Sequence, residues 1–234
     1  MDRVATGITG LDKLIDGGIP RGATVLLSGG AGTLKTITSM QYIYNGAVQY
    51  NEPGIYVTLE EEIKNISWNM EAFGWDIHSL EEKGKMKLYR MKLDISKDVK
   101  AQIDAELKAI ALLVKKMGAK RLVIDSTTSL GIWIPEVGYL RYILYQLASG
   151  LKEMGVTTIL TAETKGGRQD FSAFGVEEFV ADGVIALYFS PPNRSIFVRK
   201  MRGTAHSKGV HPIDVTSNGM EVKYRDEVMW ESIK

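Results

Sequence analysis

The 234-residue chain carries 29 basic and 28 acidic residues, a net charge of +1, with 44% hydrophobic and 24% charged residues. That balance excludes a disordered or fibrous chain and supplies no global field to draw in nucleic acid or an anionic membrane, so such a partner must be met by a local patch. With no cysteine, no apolar segment after Met1 and no run near the roughly 20 apolar residues of a membrane span, the expectation is one soluble, cytoplasmic domain over 1–234 without disulfides or thiolate metal sites.

In chain order, the apolar, partly β-branched run 24–28 ends in glycines and reads as a strand buried on both faces. Helical spacing follows over 36–47. The strand signal returns at 54–59 and the helical one at 61–73. A third strand fits 86–91, and a long amphipathic helix fits 98–117, with Ile103, Leu107, Ile110, Leu113 and Val114 on its apolar face. The run 121–125 is a strand closing on a carboxylate, and 157–161 is another, after a helix over 139–154. Such alternation implies an α/β fold, a mostly parallel twisted sheet with helices on both faces. Beyond it, 184–190, 195–200 and 213–222 read as strands joined by tight turns, an antiparallel C-terminal extension of the sheet.

Gly29, Gly30, Ala31, Gly32, Thr33, Leu34, Lys35 and Thr36 lie between the first strand and the first helix, the context a phosphate loop requires. There, backbone N–H groups and the helix N-terminus face a polyphosphate, Lys35 reaches its outer oxygens and the Thr36 hydroxyl can ligate Mg²⁺, so ATP and Mg²⁺ are the expected ligands. Leu34 departs from G-x-x-x-x-G-K-[ST], standing where the second glycine belongs; a Cβ there crowds the ligand or opposes a positive φ. The plain alternative is a glycine-rich strand-to-helix turn.

Asp125, at the tip of a neighbouring strand, can hold the Mg²⁺ shell; it can equally cap a helix opened by Ser126 to Ser129. Glu60, Glu61 and Glu62 follow the second strand on the same sheet edge. One of them can polarise the water that attacks a γ-phosphorus, and all three also suit the first turn of a helix. Glu60 at the strand tip is the catalytic candidate, with Glu62 solvated. His78, His206 and His211 lack ligand-like spacing, and His206 reads as an interface or turn residue.

Thr6-Gly7-Ile8-Thr9-Gly10-Leu11-Asp12, then Gly17-Gly18-Ile19-Pro20-Arg21-Gly22, resembles the entry to the core domain of RecA/RadA recombinases and KaiC proteins. Phe73-Gly74-Trp75-Asp76, the segment from Phe174 to Asp182 and Lys200-Met201-Arg202-Gly203-Thr204-Ala205-His206 are similar to KaiC segments in the same order. A lone domain of this kind resembles the archaeal KaiC-like RadA paralogues. The resemblance implies a RecA-like P-loop core, an ATPase, and a role in recombination and repair. It implies Glu60 and Glu61 as the paired catalytic glutamates, with Lys35, Thr36 and Asp125 around ATP and Mg²⁺. It also implies that Lys200 and Arg202 reach the γ-phosphate of the next subunit in a homo-oligomeric ring or filament. The tandem duplication and phosphorylated tail of KaiC are missing from the sequence. A KaiC-like signalling or scaffold module acting on protein partners is the alternative.

Two loops lie beyond the carboxyl ends of central strands, 129–139 and 164–171, where ligands bind open α/β sheets. The resemblance makes them the expected contacts for single-stranded DNA, alone or with a recombinase partner. Lys165 and Arg168 would meet phosphates while Trp133 and Phe171 stack on bases. The counter-reading packs Trp133 on a neighbouring helix and leaves 165–168 as a solvated loop.

Overall fold

A computed structural model describes residues 2–94, 96–165, 167 and 169–230. Strand β1 (Arg3–Val4), helix α1 (Leu11–Leu14) and strand β2 (Ile19–Pro20) form an entry flap whose strands pair antiparallel. There follow β3 (Thr24–Gly29), α2 (Lys35–Gln49), β4 (Gly54–Thr58), α3 (Ile63–Glu71), α4 (Ile77–Glu82), β5 (Met86–Arg90) and α5 (Val99–Met117). Next come β6 (Arg121–Asp125), α6 (Thr128–Trp133), α7 (Val137–Glu153), β7 (Thr157–Glu163) and α8 (Glu177–Val180). The chain then returns through β8 (Gly183–Ser190), β9 (Asn193–Met201), β10 (Val210–Thr216) and β11 (Gly219–Val222).

One nine-stranded sheet runs in the order β11-β10-β9-β8-β3-β7-β6-β4-β5. From β8 to β5 every pairing is parallel, and from β8 to β11 every pairing is antiparallel, as the alternation and its loss after 183 imply. The expected segment 213–222 divides into β10 and β11, because Gly219 takes φ 108° and Asn218 N–H donates to Thr216 Oγ1 in the turn between them.

Alternate residues of β3 feed two cores. Val25 and Leu27 pack with Met40, Tyr42 and Ile43 of α2; Leu26 packs with Leu140, Ile143, Leu144 and Leu147 of α7. Each such aliphatic side chain contributes ~1.5–3 kcal/mol by burial, which is why a strand apolar on both faces belongs in the middle of the sheet. Helix α5 begins where Asp98 accepts from the N–H groups of Lys100 (2.9 Å) and Ala101 (3.2 Å), and it ends at Gly118 with φ 63°. The flap is held by Arg121, fully buried at the start of β6. Its guanidinium pairs with Glu52 at 2.7 Å, donates to the carbonyls of Ala5, Thr6 and Tyr42, and lies 4.7 Å from the Tyr42 ring and 5.2 Å from the Tyr50 ring. Register aligns Gly29 with Glu163, Ile124 with Leu160 and Thr58 with Asp125, so the C-terminal ends of β3, β7, β6 and β4 share one edge.

Candidate functional site at the carboxyl edge of the sheet

The turn from β3 into α2 is dictated by close approach. A Cβ on Gly29 would lie 2.5 Å from Thr33 Oγ1 and 2.6 Å from the Leu187 carbonyl. Thr33 Oγ1 donates to the Gly30 carbonyl at 2.8 Å, closing the loop. Leu34 adopts φ 79°, ψ 20°, the left-handed conformation that the missing glycine would supply freely, while its side chain packs against the α2-side core. Leu34, at the N-cap of α2, makes no side-chain capping hydrogen bond and no acidic residue stands in the first turn, so the leading N–H groups face the loop where an anion would sit.

Lys35 Nζ donates to the carbonyls of Gly29 (2.8 Å) and Gly30 (3.0 Å). Burial pushes this ammonium below the ordinary lysine range, with the carboxylates of Glu163 and Asp125 acting in the opposite sense. Asp125 is the convergence point. Its Oδ2 accepts from Thr36 Oγ1 (3.2 Å) and from the Tyr56 hydroxyl, and its Oδ1 accepts from Thr161 Oγ1 (2.5 Å). A threonine hydroxyl beside a carboxylate offers the hard oxygen donors that Mg²⁺ prefers, and a cation bound through few protein oxygens leaves the rest of its shell to phosphates and water. Among the described residues there is no group of three or more His, Cys, Asp or Glu side chains that could hold a metal ion.

The three glutamates separate. Exposed Glu60 accepts at Oε1 from the hydroxyl of Ser129, a buried residue of α6. Glu61 is half-buried and accepts from Asn69 Nδ2 at 3.3 Å. Burial, followed by the nearby Asp125 carboxylate, raises its carboxyl above the usual glutamate range. Glu62 is an exposed ion pair with Arg90. Ser129 reads in the sequence only as part of a helix start, and nothing local marks Tyr56, Thr161 or Arg194 as site residues. The last donates from Nε to the Gly32 carbonyl at 2.9 Å and lies 4.3 Å from the Phe189 ring, a cation of the same chain against the phosphate loop. An arginine just after Pro191-Pro192 carries only a turn signal.

Lys200 and Arg202 lie at the opposite sheet edge. β9 runs antiparallel to β8, so Met201 faces Gly183, which faces Val25 at the start of β3. Lys200 Nζ donates to the carbonyls of Glu178 (2.7 Å) and Ala181 (2.8 Å), and burial, then Arg202, lowers its pKa. Arg202 pairs with Asp182 at 3.3 Å. The segment 129–139, expected as a loop, is instead the end of α6, a short link and the start of α7, because Leu130, Ile134 and Leu140 dock in the core, and Trp133, the last residue of α6, is half-buried against the α7-side core. Phe171 is half-buried beneath Arg199, 5.5 Å from its guanidinium carbon, and Lys165 is exposed. Arg168 lies outside the described residues. His206 Nδ1 sits 2.8 Å from the Ser207 carbonyl, a turn contact, and His211 is buried between Ser207 and Asp226.

Residues 4–227 match the family described as the KaiC ATPase. The chain belongs to the KaiC ATPase family. A UPF0273 protein of Methanocaldococcus jannaschii is 40% identical over 247 residues, covering 98% of this KaiC-family chain and 99% of that protein. The circadian clock oscillator protein KaiC of Parathermosynechococcus lividus is 37% identical over 228 residues, 93% of this chain but 41% of that protein, so the chain spans less than half the length of that relative. The crystal structure of a KaiC-like protein from Pyrococcus horikoshii OT3 superimposes with a TM-score of 0.84 at 43% identity, covering 94% of this chain and 98% of that one. The resemblance carried by the segments at 73–76, 174–182 and 200–206 is thereby borne out, as is the RecA-like α/β fold. Part of that KaiC signature is packing: Trp75 stacks on Tyr44 at 5.3 Å and on Phe73 at 5.0 Å.

Proposed function

We propose that the chain binds ATP with Mg²⁺ and hydrolyses it slowly to ADP and phosphate, working as one domain in the cytoplasm. The observation that carries this is the meeting of Lys35, Thr36 and Asp125 at the start of an uncapped helix. Residues 29–36 would wrap the phosphates, and Thr36 and Asp125 would hold the cation, which when bound neutralises charge on the terminal phosphates. Glu60, oriented by Ser129, accepts a proton from the attacking water, and Glu61 beside Asp125 supports it. Arg202, with Lys200, acts on the nucleotide of a neighbouring copy in a ring or filament. The membrane has no part in this reading; among the described residues no helix is long and apolar enough to cross one.

Contact with single-stranded DNA, in the service of recombination, is the finer reading of the loops. The engagement of Trp133 and Phe171 in packing leaves it to rest on the cations Lys165 and Arg168. A protein partner is favoured by Tyr139, Tyr142 and Tyr145 along α7, exposed together with Phe179 of α8, since exposed tyrosines clustered with Arg141 have the composition of interface hot spots. One titration tests the whole: ATP binding by wild type and Lys35→Ala, repeated with single-stranded DNA at two salt concentrations. Loss of the lysine should weaken ATP by more than ~10-fold, or ~1.4 kcal/mol. Equal ATP affinity in a folded Lys35→Ala protein refutes the site, and wild type blind to DNA at low salt selects the protein-partner reading.

A further inference from the structure

Tyr56 is the middle residue of β4. Its side chain is completely buried in mid-β4, packed in the core beneath α2 with Val123 and Ile43. Register pairs Tyr56 with Val123, and side chains two apart on a strand share a face, so Tyr56, Val123 and Asp125 all point toward α2. The ring therefore runs along the sheet toward its carboxyl edge and delivers the hydroxyl to Asp125 Oδ2, the oxygen that also takes Thr36 Oγ1.

Packing alone does not call for that hydroxyl. A phenylalanine would fill the same space, and a buried O–H without a partner costs ~1–3 kcal/mol. What the hydroxyl adds is a second fixed point on the carboxylate. Thr161 holds Oδ1 from β7 and Tyr56 holds Oδ2 from β4, so Asp125 is braced from the strands on both sides of β6.

We propose that Tyr56 is a positioning residue of the Mg²⁺–nucleotide site, whose hydroxyl fixes the Asp125 carboxylate in the orientation that presents it, next to Thr36, to the cation. This rests on the proposed role of Asp125 and adds a determinant that sets how much Mg²⁺ nucleotide binding requires. Outer partners of metal ligands act in this way, and their removal typically weakens the metal ~10–100-fold.

The test is calorimetric titration of ATP at a series of MgCl₂ concentrations and in EDTA, with wild type, Tyr56→Phe, Asp125→Asn and the double variant. Tyr56→Phe should raise the Mg²⁺ concentration at half-effect ~10-fold, leave ATP affinity in EDTA unchanged, and add nothing in the Asp125→Asn background. A Mg²⁺ midpoint within about twofold of a Mg²⁺-dependent wild type overturns the inference alone. An equal loss in the Asp125→Asn background also overturns it, because Tyr56 then acts through packing. A wild type whose ATP affinity is the same in Mg²⁺ and EDTA removes the reading of Asp125 and the inference together. If Tyr56→Phe does not melt cooperatively, Tyr56→Met fills the site without a donor and is read by the same criteria.

Discussion

Leu34 inverts an ordinary rule of helix chemistry, and the inversion can be measured. Within a helix an alanine normally outperforms a glycine, which loses more chain entropy on folding by ~0.5–1 kcal/mol. Leu34, however, holds φ 79° and ψ 20°, where an L-residue is strained by ~1–2 kcal/mol and glycine is not. Both Leu34→Ala and Leu34→Gly give up the same half-buried contacts with the core, so their difference cancels the packing loss. What remains is strain relief minus chain entropy, which favours Leu34→Gly over Leu34→Ala by ~0.5–1 kcal/mol. In a domain of this size that is ~1–4 °C in Tm. Thermal and urea unfolding of the two variants with equal m-values provide the assay, and ATP affinity of the glycine variant should match wild type. An alanine variant as stable as the glycine variant would show that residue 34 leaves the left-handed region in solution and would refute the reasoning.

Two further outcomes follow from the same edge and its opposite. Glu60→Gln preserves size and the acceptor for Ser129 but removes the base, so steady-state phosphate release should fall ~10²–10⁴-fold with ATP binding intact, and a larger loss in Glu61→Gln would transfer the base role to Glu61. Asp182 has a carboxyl below its ordinary value of 3.8: burial raises it, but the Thr24 N–H, Lys152 and Arg202 together outweigh burial. A lowered folded pKa means a stabilisation that is complete above pH 3.8 and lost as pH falls through the folded value. Wild type should therefore exceed Asp182→Asn in urea midpoint at about pH 7, with the gap closing only below the ordinary carboxylate range; a gap independent of pH would assign the effect to geometry instead of charge.

How far the chain could be read depended on the range of the interactions. The strands at 24–28, 54–59, 121–125 and 157–161 were legible because burial on both faces leaves an unbroken apolar run that local sequence cannot hide. The phosphate loop and Asp125 were legible because each terminates such a strand. Helix α4, six residues long, was not, since its form depends on Leu80 and Ile77 docking in the core and on Asp76 accepting from Ser79 N–H. Arg121 looks like a charge at a strand entrance and is instead fully buried, a fact that depends on Glu52, 69 residues away in sequence. Tyr56 read as one more aromatic in a core strand; only the packing of β4 beside β6 gives its hydroxyl a role.

The two edges of the sheet also decide which of the two cations fits the proposed action on a neighbouring copy. The parallel strands deliver Lys35, Thr36, Asp125 and Glu60 to one edge, while β9 carries Lys200 and Arg202 back to the other. The six residues of β3 span ~20 Å between those edges, farther than a side chain extends, so neither cation serves the phosphate loop of its own chain. The two are not equally free to leave. Arg202 is mostly exposed, and Asp182 keeps Lys152 (2.9 Å) and the Thr24 N–H when Arg202 departs, so release costs about what an exposed ion pair is worth, ~0–1 kcal/mol. Lys200 is half-buried and closes the end of α8 with two hydrogen bonds to carbonyls, each worth ~1.5–3 kcal/mol for a charged donor. On the trans reading, then, Arg202 is the cation that swings to the neighbouring nucleotide, and Lys200 is the anchor that keeps α8 and the strand end from which Arg202 reaches in place.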